Sequence, residues 1–356
     1  MNAQILQAVE QLLIEKGIDK SVVIDAIKDS VVFALRKKFN DIEKLRIDFD
    51  KEDGEISCRA VKRVVKGMAK NINEIGLQEA REHDPDIKIG DTMEIDLSPE
   101  SVTRIAAMTA KQTIVQKIKD AEKEKTFNRF FGKINTIVVG KIQKINTDES
   151  VLVELDDIEA VLQKKDQIPG EKYKSASLIR SIISEVKKTP KGPQVFLSRT
   201  SPEFLKRLFE SEIPEIQDNI IKIKSVSREP GSRSKISVVS SSEKIDAVGA
   251  CVGVKGVRIQ QVVNELKGEK IDVIRYSDDI KKYITNALAP SEVISIDVKQ
   301  GENTTETEVV VPDHHLSLAI GKEGQNVRLA AKLVGARIDI LSESQKKAKV
   351  EKLLDE

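Results

Sequence analysis

The sequence predicts an α+β chain of units in series: an N-terminal α+β unit, one long helix, a small β-barrel, and an αβ unit that occurs twice. Three observations predict this. Helical and strand-like stretches mix up to residue 98, and short apolar strands crowd residues 132–200. From Ser201 onward the order helix, strand, strand, helix, helix, strand occurs twice, and a G-x-x-G separates the paired helices each time. A length of 356 residues fits two to four domains.

In the N-terminal unit, AQILQAVEQLLIEKG places Ile5, Leu6, Val9, Leu12 and Leu13 on one helical face, and Gly17 ends that helix. The next helix, Ser21 to Phe39, carries Asp25 and Asp29 early and Arg36, Lys37 and Lys38 late, as the helix dipole favours. LRIDFDKEDGEISCRAVKRVV reads as a hairpin around Asp53-Gly54, and a strand near Thr92–Leu97 closes the unit. Ser98-Pro99-Glu100 is a helix start with Ser as cap and Pro in the first turn. Nothing breaks that helix before Phe130, so about 30 residues at about 1.5 Å each give a rod of roughly 45 Å. Its charged end, KIKDAEKEK, predicts a solvated spacer over 99–131. IVVGKIQKI, VLVEL, IEAVL, LIRSIISEV and QVFLSR are five short strands over 132–200, the signature of a small Greek-key barrel of the OB type.

The first αβ copy, 201–276, starts at Ser201-Pro202-Glu203 and contains ACVGVKGVRIQQVVNELKGEKIDVI. The second, 277–345, starts at Ser277-Asp278-Asp279 and contains AIGKEGQNVRLAAKLVGARIDIL. A charged tail, 346–356, follows. This order with G-x-x-G between the paired helices is that of a KH domain of bacterial topology, twice. The tetrapeptide lets the backbone turn sharply and approach a sugar-phosphate chain. The second helix then points free N–H groups and its positive dipole end at phosphate, and such a loop clamps about four nucleotides. A dinucleotide fingerprint is excluded because Cys251 and Ala319 stand where it requires Gly, and no Walker A ending is present.

Composition constrains the rest. Lys and Arg number 59 against 58 Asp and Glu, for a formal charge of +1. Nucleic-acid binding must therefore come from local geometry rather than bulk charge. Aromatics are 3% with no Trp, so cores rest on Ile, Val and Leu. Cys58 and Cys251 form no CxxC and fit a reducing compartment. No signal peptide and no membrane-length apolar run is visible, which predicts a cytoplasmic, soluble protein.

Several stretches resemble the NusA family of bacterial transcription elongation and termination/antitermination factors. TAKQTIVQKIKDAE (109–122) resembles its linker helix and QIPGEKY (167–173) its S1-type OB domain. REPGSRSKI (228–236), GACVGVKGVR (249–258) and GEKIDVI (268–274) resemble its first KH domain. NALAPSEV (286–293) and AIGKEGQNVRLA (319–330) resemble its second, and together the stretches span nearly the whole chain. The resemblance implies that residues 1–98 dock on RNA polymerase core near the RNA exit channel. It also implies that the OB and KH domains hold nascent single-stranded RNA, modulating pausing, termination and antitermination beside other elongation factors. No catalysis and no cofactor are implied, and a monomer is expected. Three departures stand out: Ala247 where the family usually has Pro, Val254-Lys255 for the common Met-Arg, and the acidic Glu323 in the second loop. The family's C-terminal acidic repeats are not seen before Glu356, so autoinhibition by them is not expected.

The candidate RNA contacts are the loop residues Gly253, Val254, Lys255 and Gly256, and Gly321, Lys322, Glu323 and Gly324. Gln325 and Asn326 open the helix behind the second loop, and Arg258 and Arg328 lie one turn on. Arg228 and Arg233 flank a Pro-Gly turn, and Lys141, Lys144 and Arg199 are the candidates in the barrel. For polymerase contact the candidates are Arg36, Lys37 and Lys38. Phe131 and Phe196 are read as core. Adjacent His314 and His315 are expected to point apart and share no metal, and Cys251 is read as a buried structural thiol. The competing class is an RNA-binding accessory subunit of an RNA-processing or degradation complex, with a ribosomal or chaperone role behind it.

Overall fold

This computed structural model describes residues 19–49, 56–300 and 305–355. The predicted first helix and the Asp53-Gly54 turn lie outside them. The chain divides into two compact units, Met1–Asn128 and Arg129–Glu356, and each is considered by itself.

In the first unit, α1 (Lys20–Lys38) is capped by the Asp19 carboxylate, which accepts from the Ser21 N–H at 2.8 Å. Its buried residues Val23, Ile27, Val31 and Leu35 recur every four positions and form one face. The strands are β1 (Leu45–Phe49), β2 (Ile56–Val65), β3 (Glu74–Gly76) and β4 (Thr92–Asp96). β2 pairs antiparallel with β1 and β4 and parallel with β3. β3 and the following α2 (Leu77–His83) escape the sequence because three and seven residues are too few to display a period. They build a small second core of Val64, Ile75, Ala80, Ile87 and Met93.

The long helix α3 (Pro99–Phe131) starts where the Ser-Pro-Glu signal places it. Its first half, however, is not a spacer. Val102, Ala106, Ala110 and Ile114 are buried against α1, in one core with Val31 and Leu35. Small and apolar residues at i, i+4, i+8 and i+12 are the signature of that buried face. The solvated reading holds beyond it, where Lys119, Asp120, Glu122, Glu124 and Lys125 are exposed.

The second unit begins with a closed barrel in the order β5-β6-β7-β9-β8. The strands are β5 (Ile137–Ile145), β6 (Val151–Leu155), β7 (Ile158–Leu162), β8 (Leu178–Thr189) and β9 (Gly192–Ser198). β9 pairs parallel with β7, which closes the ring. Val151, Val153 and Leu155 point inward at period two.

The first repeat comprises α4 (Pro202–Glu212), α5 (Pro214–Gln217), β10 (Ile221–Glu229), β11 (Arg233–Ser240), α6 (Ala247–Val252), α7 (Val257–Glu265) and β12 (Lys270–Arg275). The second comprises α8 (Ile280–Leu288), β13 (Ser295–Gln300), β14 (Thr305–Val311), α9 (Leu316–Ile320), α10 (Gln325–Val334) and β15 (Arg337–Ser342). Each sheet has three strands, the first pair antiparallel and the second parallel. α4 is capped by Ser201 as predicted, whereas the cap of α8 is Asp279, at the third residue of its start signal. The tail is a helix, α11 (Glu343–Asp355), whose Lys346 and Lys349 both pair with Glu308 on β14.

Two contacts bind these modules together. The core of the first repeat runs into the barrel through Ile168 and Ile182, which pack with Phe204, Leu208 and Phe209. On the other side of the first repeat's sheet, α10 lies against β10 and β11, and α8 against β12. Ser234 through Val238 on β11 are consequently all buried. A strand covered on both faces loses the alternation of a half-exposed one.

Candidate nucleic-acid interface

The two G-x-x-G loops have the same backbone. Gly253 and Gly321 sit at φ 76°, ψ 172° and φ 75°, ψ 174°. Only glycine occupies that region readily. The third residues, Lys255 and Glu323, are left-handed at φ 52°, ψ 25° and φ 53°, ψ 28°. Gly256 (φ 78°) and Gly324 (φ 72°) follow in the left-handed region and lead into α7 and α10. No side chain caps either helix at these glycines. The first N–H of each helix, on Val257 and Gln325, donates instead to a loop carbonyl, of Val254 and Lys322, and the positive end of each helix dipole lies at the loop. Val254, Lys255, Lys322 and Glu323 are exposed on the loops, and neither lysine has an ion-pair partner among the described residues.

The glycines answer different constraints. A Cβ on Gly253 would stand 2.8 Å from Arg258 Cγ, and one on Gly321 would stand 2.8 Å from Asn326 Cβ. A Cβ on Gly324 would meet nothing within 4 Å. The first glycine of each loop thus accommodates the chain's own next helix, while the open side at Gly324 leaves room for a ligand. We expect Gly321→Ala to destabilise by about 1–3 kcal/mol and Gly324→Ala by about 1 kcal/mol. Urea midpoints of the two variants check the order, and equal losses would refute the steric assignment.

Arg258 and Asn326 stand five residues after their first glycine and act alike. Arg258 Nη1 donates to the Ala250 carbonyl at 2.8 Å and to both Glu215 carboxylate oxygens at 3.0 and 2.9 Å. Asn326 Nδ2 donates to the Ala319 carbonyl at 3.0 Å and reaches those of Leu288 and Leu318 at 3.3 and 3.4 Å. Each side chain satisfies carbonyls at the end of the preceding helix and so fixes the loop from behind. This corrects the sequence reading: Asn326 is buried and holds the loop rather than touching a ligand. Arg258 is half-withdrawn into its Glu215 pair.

Gln325 and Arg328 are engaged by the first repeat. Gln325 Nε2 donates to Glu229 Oε2 at 2.7 Å and Ser232 Oγ at 2.8 Å, and Arg328 Nε donates to Glu229 Oε1 at 2.6 Å. Hydrogen bonding from Arg328 holds the Glu229 carboxyl below the usual carboxylate range. Arg328 Nη1 also donates to the Glu323 carbonyl, so this arginine supports the second loop as well. Glu229 was not a sequence candidate; only its position on the β10–β11 turn, facing another repeat, gives it a role.

Three more arginine candidates are held in ion pairs, and two of them, Arg228 and Arg199, are buried and structural, against the sequence reading. Arg228 is fully buried and paired with Glu269 at 2.9 Å, and Glu269 also accepts from Gly231 N–H and Ser234 Oγ. Arg199 is buried with a two-pronged contact to Glu171 at 2.9 Å on each prong, and Nη1 reaches Glu265 at 2.9 Å. It ties barrel to first repeat. Arg233 pairs with Asp272 at 2.8 Å, beside fully buried Lys235 on the same carboxylate. A buried cation persists only with such partners, and here the partners lie far off in sequence.

Lys141 and Lys144 remain exposed on β5 and available to a ligand. Phe131 is 55% exposed, not core. Phe196 is half-buried on the outer barrel face, under Lys187 Nζ at 5.1 Å from its centroid. The period-two rule finds it, since Val195 and Leu197 point inward. His314 and His315 do not point apart: their ring centroids are 4.4 Å from each other, and His315 Nδ1 accepts the Glu292 N–H at 3.0 Å. Burial pushes the Cys251 thiol up to about 12, which fits an inert packing group. In the first unit, Arg36, Lys37 and Lys38 are exposed at the end of α1.

With this geometry in place, the comparisons with known proteins are direct. Residues 4–124 match the NusA N-terminal domain, 199–276 the NusA-like first KH domain, and 280–348 the NusA-like second KH domain. Among curated proteins, "Transcription termination/antitermination protein NusA" of Halalkalibacterium halodurans is 45% identical over 97% of this chain and 90% of its own. Its namesake in Bacillus subtilis is 44% identical over 97% and 92%, and that of Thermus thermophilus 36% identical over 94% and 89%. A loop-and-sheet geometry repeated twice behind a barrel, with relatives aligned over almost their whole length, leads to one assignment: the chain belongs to the NusA family.

Proposed function

We propose that this chain is a non-catalytic transcription factor that acts in termination and antitermination by holding RNA polymerase core and nascent single-stranded RNA at once. The carrying observation is the pair of identical G-x-x-G backbones, each opening an uncapped helix N-terminus beside a free lysine. Residues 201–276 and 277–345 hold the RNA backbone at these loops, and residues 132–200 extend the track through Lys141 and Lys144. Residues 1–98 supply the polymerase contact, with Arg36, Lys37 and Lys38 as the contact group. The chain works as a monomer in the cytoplasm, alongside other elongation and antitermination factors. No described helix is long and apolar enough to cross a membrane. The names of the relatives in Halalkalibacterium halodurans and Bacillus subtilis support this reading over an accessory role in RNA processing.

The test uses the full chain and purified bacterial RNA polymerase core. The wild type is expected to capture core, and Arg36→Glu/Lys37→Glu/Lys38→Glu to capture about tenfold less or worse while binding RNA unchanged. Equal capture by wild type and variant would remove these residues from the contact. No capture by wild type would remove polymerase from the reading.

A further inference from the structure

We infer that the groove between the end of β12 and α8 is a separate subsite for a single-stranded RNA nucleotide, apart from both G-x-x-G loops. The inference deepens the proposed RNA binding and rests on it. The groove, of about 670 Å³, is lined by Arg275, Tyr276, Lys281, Lys282, Val293 and Ile294 among others. That volume falls within the range of small-ligand sites.

The placement of the two lysines is the first argument. Lys281 and Lys282 lie in the first turn of α8, immediately after its Asp279 cap. Cations there oppose the positive end of the helix dipole. They are exposed, and neither has an ion-pair partner among the described residues. A local rule broken without compensation marks a position kept for a ligand, and the ligand that such a pair would take is an anion.

The nearby carboxylates, Asp297 on the groove wall among them, form no direct ion pair with either lysine among the described residues. Asp279 accepts from the Lys281 N–H at 2.9 Å, Asp278 accepts from the Tyr276 hydroxyl at 3.1 Å, and Asp297 takes Lys346 at 3.1 Å. Arg275 is held only by an exposed pair with Asp246 at 2.6 Å, of a kind that contributes about 0–1 kcal/mol and exchanges readily.

The aromatic wall selects a nucleotide over a bare phosphate or an acidic peptide. Tyr276 and Tyr283 meet edge to face, with centroids 5.1 Å apart, and Lys224 Nζ lies over the Tyr276 ring, 5.1 Å from its centroid, so a base stacking on that face takes the place of Lys224. A ring beside cations is the arrangement on which single-stranded bases stack, and Val293 and Ile294 add an apolar edge. The groove is also close to the second loop. Asn326, behind that loop, bonds the carbonyl of Leu288 at the far end of α8, and the seven residues from Lys281 to Leu288 span only about 10 Å. One strand can occupy both.

The experiment compares the full-length wild type with Lys281→Glu/Lys282→Glu and Tyr276→Leu, using a four-nucleotide and a 16-nucleotide single-stranded RNA. The four-mer fills one loop and is expected to bind all three proteins equally. The 16-mer is expected to bind each variant about tenfold more weakly. For the lysine variant its log–log salt slope should fall by about 1.4, at about 0.7 per lost phosphate contact. Glu at these positions favours the helix, so lost binding in that variant is not unfolding. Equal 16-mer affinity in wild type and variants, with loop binding intact, overturns the subsite and leaves the proposed function standing. Equal loss on both RNAs also overturns it. Failure of the wild type to bind either RNA overturns both.

Discussion

Val254→Asp, Lys255→Asp, Lys322→Asp and Glu323→Asp together are expected to weaken single-stranded RNA binding by at least about 100-fold at 0.1 M salt. Two free lysines disappear, and carboxylates then face phosphate, a juxtaposition that costs several kcal/mol. The log–log salt slope should fall by about 1.4, for two contacts at about 0.7 each. The fold should survive. All four positions are exposed, the left-handed third positions are ones that Asp tolerates, and such surface changes stay within about 0.5 kcal/mol per site. A fluorescence titration against salt reads both quantities. Unchanged affinity with the fold intact would end the assignment of these loops as the phosphate clamp.

The largest expected loss of stability is at Glu269→Ala, about 3–5 kcal/mol. The guanidinium of Arg228 would then remain buried without its carboxylate. The Gly231 N–H and the Ser234 hydroxyl would lose their acceptor at the same time. That turn carries Glu229, which holds Gln325 and Arg328 of the second repeat, so RNA affinity should also decline, though less than in the loop variant. Arg228→Met combined with Glu269→Leu should recover part of the stability, because removing both charges removes the uncompensated one. A urea midpoint for Glu269→Ala close to that of the wild type would show that the pair adds little.

Much of the fold was legible because its signals are local. The glycine pairs, the Ser-Pro-Glu start of α4 and the period-two strands of the barrel each lie within a dozen residues. The candidate site was legible where it is backbone: Gly253 and Gly321 adopt a conformation that only glycine suits, and Gly256 and Gly324 one that glycine favours. It was misread where a cation's fate depends on distant carboxylates. Arg228 beside a Pro-Gly turn looks like a surface charge until Glu269 is brought to it, and Arg199 does until Glu171 and Glu265 are. Asn326 looked like an amide for a ligand because nothing in its neighbourhood shows the carbonyls of Leu288 and Ala319 behind it. The stretches QIPGEKY, REPGSRSKI and GEKIDVI, which resemble the family so closely, contribute Glu171, Arg228 and Glu269 to these buried pairs. Part of the family signature is therefore architecture rather than recognition.

The strand β11, covered on both faces, bears on how the chain is made. The first repeat leaves the ribosome with Lys235 and Ser237 on a sheet face that has no cover until α8 and α10 are synthesised. Until then Lys235, whose burial pushes its pKa down, has that face open to water, and the sheet is open to pairing with other chains. The duplicated repeats thus share a buried face. The second completes the first, and a nascent chain stalled between them would be the form most exposed to misassembly.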